Sequence, residues 1–128
     1  MGLFNGMFGK NNEPSTSRVR WNHLESIADL EAATTLSNEK IVVIFKHSTR
    51  CSISRFVLKQ FENTFALPEE QVVLYFLDLI AFRAVSNEIA SRFGVVHQSP
   101  QLIILKNHKV VYDASHERID AEVIERYV

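Results

Sequence analysis

Three near-continuous apolar runs, Ile41 to Phe45, Val72 to Leu79 and Leu102 to Leu105, constrain this chain more than anything else in it. They are rich in β-branched and aromatic residues. A strand covered on one face alternates apolar with polar residues, whereas a strand covered on both faces reads as a continuous apolar run. Such strands need helices above and below, and the segments between them supply helical spacing. Ile27, Leu30, Ala33 and Leu36 form one apolar stripe, and Ser26 with Asp29 makes a partial capping box, so the pattern predicts a helix over 26–37. Ile53, Phe56, Val57, Phe61 and Phe65 give the face of a second helix, closed by Pro68. Arg83 to Phe93 gives a third, with Val85, Ile89 and Phe93 on one side and Gly94 as C-cap. Trp21 to Leu24 is read as a short leading strand. Asn107-His108 is a tight-turn pair that joins the third run to Lys109–Tyr112 as a hairpin. Glu117 to Tyr127 is read as a closing helix with Ile119, Val123, Ile124 and Tyr127 inward. The order βαβαβαββα is that of an α/β protein: a parallel core with helices on both faces, made mixed by its last hairpin.

A chain of 128 residues with 46% hydrophobic content suits one such core. It is assigned to residues 18–128. Residues 1–17, rich in Gly, Asn, Pro and Ser, are read as a flexible lead-in. Position 6 is Gly where a myristoylation signal requires Ser or Thr. No basic region precedes the first apolar residues, so no secretory signal is expected. No apolar stretch approaches the roughly 20 residues that span a bilayer, and integral membrane association is not expected. A net charge of −1 without a basic cluster gives no case for nucleic acid. The expected location is the cytoplasm.

The chemistry-bearing stretch is "KHSTRCSIS", Lys46 to Ser54, which holds the only cysteine, Cys51. A lone cysteine is more often a small buried hydrophobe. This one stands among polar residues, after a strand and at the start of a helix. Unpaired N–H groups and the helix dipole favour an anion at that position, and basic neighbours do the same for a thiolate. Lys46, His47 and Arg50 are the neighbours able to add positive potential. They are candidates for holding an anion beside the sulfur, although solvated side chains would read the same way. Ser54, three residues after Cys51, sits where a CxxC redox pair has its second cysteine. Its hydroxyl cannot resolve a mixed disulfide but is a candidate donor to sulfur, as is Thr49; helix capping is the plainer role of both. His47 and His97 with Cys51 are too weak a set to propose zinc, and the histidines are read as polar rim residues.

A second signal is "HQSPQLIIL", in which Pro100 stands just before the third apolar strand, where a Pro cannot serve as an ordinary central-strand residue. A trans Pro at strand entry is the commoner case for any X-Pro; context rather than composition favours a cis Ser99-Pro100 bond, which would present the Ser99 backbone at the sheet's edge. Together, "RCSIS" at a strand–helix junction and "RFGVVHQSPQLIILKNHKVVY" downstream resemble the thioredoxin fold. More narrowly, "FKHSTRCSIS" resembles the monothiol bacilliredoxins, whose site has the form Thr-x-Cys-x-Ile-Ser. The resemblance covers roughly residues 20–128. It implies a monothiol thiol–disulfide oxidoreductase that works through Cys51 on mixed disulfides between proteins and bacillithiol or a similar low-molecular-weight thiol. The small thiol would serve as co-substrate, with no tightly bound cofactor and no metal. Two positions depart from the pattern. Ser52 stands where the family usually has Pro, and Phe45 stands where thioredoxins bury a carboxylate. A thioredoxin-style proton relay is therefore not expected. Two alternatives stay open at this point: a glutaredoxin-like iron–sulfur carrier, from the likeness of C-S-I-S to C-G-F-S, and a non-catalytic thioredoxin-like binding module.

Overall fold

A computed structural model of the chain describes residues 19–128; the lead-in expected over 1–17 lies outside the described residues. The elements are β1 (Trp21–His23), α1 (Ile27–Leu36), β2 (Ile41–His47), α2 (Ser52–Thr64), β3 (Val72–Asp78), α3 (Arg83–Phe93), β4 (Gln101–Lys106) and β5 (Lys109–Ser115). Two 3-10 segments follow, His116–Arg118 and Ala121–Arg126. The sheet runs β1-β3-β2-β4-β5. β3 pairs in parallel with β1 and β2, and β4 pairs antiparallel with β2 and β5.

β2 lies at the middle of the sheet, and all its residues are buried. Its alternate side chains enter two cores. Ile41, Val43 and Phe45 pack with Val57, Phe61 and Phe65 of α2 and with Ala121 and Ile124 of the last segment. Val42 and Ile44 pack with Leu30 and Ala33 of α1 and Val85 and Ile89 of α3. Each such side chain contributes roughly 1.5–3 kcal/mol of burial, which is why the continuous apolar runs become the three inner strands. The edge strand β1 is only three residues long and is held by its aromatic side chain. Trp21 packs on Phe45, Phe61 and Phe76 with ring centroids 5.7–6.0 Å apart, and its Nε1 donates to Glu62 Oε2 at 2.7 Å.

Local signals act as their chemistry dictates. Ser26 Oγ accepts from the Asp29 N–H at 3.0 Å, while the Asp29 carboxylate accepts from the Glu25 N–H, one residue earlier than in a full capping box. Gly94 ends α3 at φ +66°. Asn107 and His108 take φ 53° and 68°, both positive as a two-residue hairpin turn of the primed type requires.

Four expectations are corrected. Lys46 and His47 are the last two residues of β2 and not part of a polar loop. Ile27 is exposed at the start of α1. On α2, Ile53 and Phe56 point to solvent at 58% and 64% exposure, and the buried face is Ser54, Val57 and Phe61. The closing helix is not α. Asp120 accepts from the Glu122 N–H and confines the turn to the short 3-10 segment Ala121–Arg126, which still buries Ala121 and Ile124.

Candidate active site

The β2–α2 junction carries the site. Cys51 is the N-cap of α2, with extended backbone at φ −106°, ψ 121°. Its N–H donates to the Ser48 carbonyl at 3.2 Å, and its carbonyl accepts from the Arg55 N–H at 3.1 Å. These two bonds fix the backbone on either side of the sulfur. The thiol is half-buried and free, and it makes no capping hydrogen bond of its own. The first-turn N–H groups therefore receive no side-chain cap from Cys51.

Ser54 is the third residue of α2 and is fully buried. Its Oγ accepts from the Ser48 N–H at 3.2 Å and lies 2.8 Å from His47 Nδ1. The hydroxyl thus ties the end of β2 to the first turn of α2. His47 is itself buried, on the same face of β2 as Phe45, with its ring 5.3 Å from that of Phe76. Burial lowers its pKa below the ordinary histidine value; Asp78, its register partner on β3, pulls it up, and Arg55 pushes it down. A histidine so lowered is neutral near pH 7. His47 is therefore not a polar rim residue and not a fixed positive charge beside the thiol.

Lys46 points to the opposite face. It is 0% exposed, and its Nζ is buried without a hydrogen-bond partner. Desolvation lowers its pKa to about 8. The reading of Lys46 as a solvated basic neighbour of Cys51 is overturned: strand alternation sends it away from the cysteine and into the α1/α3 side of the sheet. Thr49 and Arg50 are exposed in the connection, and the Thr49 carbonyl accepts from Arg55 Nη1 at 3.1 Å. Arg50 is thus the one predicted basic residue that is both free to solvent and next to Cys51 in the chain.

Ser99-Pro100 is cis. The pairing of Lys46 with Gln101 brings Pro100 and Ser99 alongside His47 and Ser48, at the end of the sheet that carries Cys51. Ser99 Oγ is buried without a partner. His97 is exposed, with Nδ1 3.4 Å from Ser86 Oγ, and among the described residues no His, Cys, Asp and Glu side chains group as a metal site. Two residues escaped the sequence reading. Gln101, fully buried, accepts from the Gln98 N–H and donates to the Val96 carbonyl, so it holds the loop that leads into Ser99. Its signal was legible as a polar residue directly after Ser-Pro in an apolar strand. Asp78, the carboxylate facing His47, gave only the weaker signal of a charge at a strand's end.

Residues 22–124 match the model of a family described as "Monothiol bacilliredoxin BrxC". Among solved structures, a thioredoxin-fold protein described as a candidate oxidoreductase is 30% identical, with 81% of this chain and 89% of that chain covered and a TM-score of 0.69. Thioredoxin from Malassezia sympodialis is 19% identical over 87% of this chain and 90% of that one, with a TM-score of 0.66. Thioredoxin from Fasciola hepatica is 18% identical over 83% and 94%, with a TM-score of 0.63. The last two show the fold alone. Fold, matched span and lone half-buried cysteine at a strand–helix junction lead to one assignment: the chain is a thioredoxin-fold thiol redox protein and belongs to the monothiol bacilliredoxin family.

Proposed function

We propose that the protein removes bacillithiol, or a similar low-molecular-weight thiol, from protein mixed disulfides by one-cysteine exchange in the cytoplasm. The observation that carries this reading is that Cys51 is the N-cap of α2 while the third residue of the helix, Ser54, is a buried hydroxyl. The half-buried Cys51 thiol is the nucleophile, and the position that could supply a second sulfur is a buried hydroxyl already bonded to His47 and Ser48. Cys51 can accept a small thiol and cannot expel it from within.

The exchange balances without net oxidation of the protein. Cys51 thiolate attacks the small-thiol sulfur of the mixed disulfide; the target cysteine leaves as thiolate with the bonding pair, and the small thiol is now joined to Cys51. A second thiol attacks the small-thiol sulfur, forms a small disulfide or a new mixed disulfide, and returns Cys51 as thiolate. Arg50, exposed beside the cysteine, is the residue to attract an anionic small thiol. Ser99, at the entrance to β4, is the backbone that would pair with the extended chain of a protein substrate. Thr49 closes the connection through its carbonyl bond to Arg55.

Exposing the reduced protein in parallel to the oxidised forms of bacillithiol, glutathione and coenzyme A, with intact mass as readout, tests the reading. One adduct on Cys51, formed fastest with bacillithiol, is the expected result. Equal, slow addition of all three would remove the small-thiol preference.

A further inference from the structure

Among the described residues, Lys46 is the only charged side chain buried without a hydrogen-bond partner. Strand alternation puts it on the β2 face of Val42 and Ile44, in the layer that holds Val85, Ile89 and Ile103. Gln101, opposite it on β4, shares that face. The Gln101 amide is already engaged by the Gln98 N–H and the Val96 carbonyl. A buried charge is costly unless it is paired, and Lys46 is not.

The groups around the amine suit an anion better than a cation. Loss of solvent lowers the His97 pKa, and the positive charges of Lys46 and Arg83 lower it further, so the three lie within electrostatic reach. His97 Nδ1 is 3.4 Å from Ser86 Oγ, in the first turn of α3. That turn has no acidic residue and no side-chain cap, and its dipole adds to the charge of Arg83. Such surroundings also activate the amine. A lysine that is desolvated, or beside another cation, releases its proton readily and becomes a nucleophile. With its pKa at about 8, about a tenth of Lys46 is neutral at pH 7. His97 is exposed while Lys46 is not, so the amine lies close beneath the surface yet closed to bulky reagents. A small, uncharged electrophile that becomes an anion on bonding fits both conditions.

We propose that the buried, unpartnered amine of Lys46 is a carbon dioxide site, at which Nζ is reversibly converted to a carbamate. The inference is independent of the exchange reaction at Cys51. The lone pair of neutral Nζ attacks the carbon of CO2 and the N–C bond forms. One C–O π pair moves onto oxygen, and one of the two amine protons is released to solvent. Nothing is oxidised or reduced. An unpaired buried cation thereby becomes an anion within reach of the Arg83 charge and the α3 N-terminus, with the His97 ring and the Ser86 hydroxyl as the nearby donors. Binding of this kind stabilises the folded chain in proportion to its occupancy.

The test equilibrates the full chain with ¹³C-labelled bicarbonate near pH 8 and reads the carbamate carbon by ¹³C NMR, for wild type and Lys46→Met. The wild type is then treated with triethyloxonium, which ethylates a carbamate and makes it permanent, and the label is located by chymotryptic peptide mass. The expected result is one carbamate resonance that saturates with bicarbonate, is absent from Lys46→Met, and maps to Lys46. The urea midpoint of the wild type should rise with bicarbonate at fixed pH and ionic strength, and that of Lys46→Met should not. No carbamate signal in the wild type, a signal that persists in Lys46→Met, or label found only on other amines overturns the inference. Stabilisation by bicarbonate with no trapped group also overturns it, since the ion is then held without a bond. Because the label is mapped on the wild type itself, a Lys46→Met variant that failed to fold would leave the test decisive.

Discussion

Lys46 and Gln101 face each other across the β2–β4 pair, and the amide spends both its polar atoms on the loop beyond. Gln101 Oε1 accepts from the Gln98 N–H and Nε2 donates to the Val96 carbonyl, so the neighbouring Lys46 Nζ is left buried and without a partner.

That arrangement predicts a stability penalty with a definite pH dependence. Lys46 is lowered from 10.5 in the unfolded chain to about 8 in the fold. Its burden is full below about pH 8, where both states are protonated, and disappears as pH rises through 10.5, where both are neutral. At about 1.4 kcal/mol per pH unit the burden amounts to about 3.5 kcal/mol. Lys46→Met is therefore expected to stabilise the protein at pH 7 by about 2–3 kcal/mol in urea unfolding, with the gain shrinking towards pH 10. A destabilised Lys46→Met protein at pH 7 would mean that Nζ has a partner in solution.

The two faces of α2 predict opposite outcomes for two phenylalanines five residues apart in the sequence. Phe61 is buried between Trp21, Phe45 and Phe65, and Phe61→Ala should cost about 3–5 kcal/mol. Phe56 is 64% exposed, and Phe56→Ser should change stability by no more than about 0.5 kcal/mol. Chemical denaturation of the two variants checks this, and similar losses in both would mean that the α2 face is rotated.

Ser54→Cys should convert one-thiol into two-thiol chemistry. Positions 51 and 54 are N-cap and third helical residue, so a thiol at 54 can attack an adduct on Cys51 and close an internal disulfide. Wild type is expected to gain one small thiol and keep it. The variant should gain it briefly and then settle about two mass units below its reduced form, the loss of two hydrogens. A stable adduct on the variant would show that the two side chains do not meet.

The sheet was legible because its inner strands are apolar on both faces, and no other element type explains Ile41 to Phe45 followed by two more such runs. Cys51 was legible from its place between a strand and a helix. What failed did so for identifiable reasons. The strand-ending pair Lys46-His47 reads as polar loop, yet the sheet runs through it: His47 finds Ser54, and Lys46 finds nothing. On α2, apolar residues line two stripes, and helical spacing cannot choose between Ile53-Phe56 and Val57-Phe61. Ser54 decides it, because its bonds to His47 and Ser48 draw that face inward. At the end of the chain the apolar spacing of Ile119, Val123 and Ile124 fits an α-helix, but the Asp120 carboxylate accepts from the Glu122 N–H two residues on and starts a tighter, shorter turn.

The most direct measurement is a single turnover on a protein mixed disulfide carrying bacillithiol, quenched with acid and read by intact mass on both proteins. The account predicts that the target returns to its reduced mass as the full-length protein gains one bacillithiol on Cys51, and that Cys51→Ser does neither. A target that is freed equally well by Cys51→Ser, or that stays thiolated while Cys51 is reduced and exposed, would contradict it.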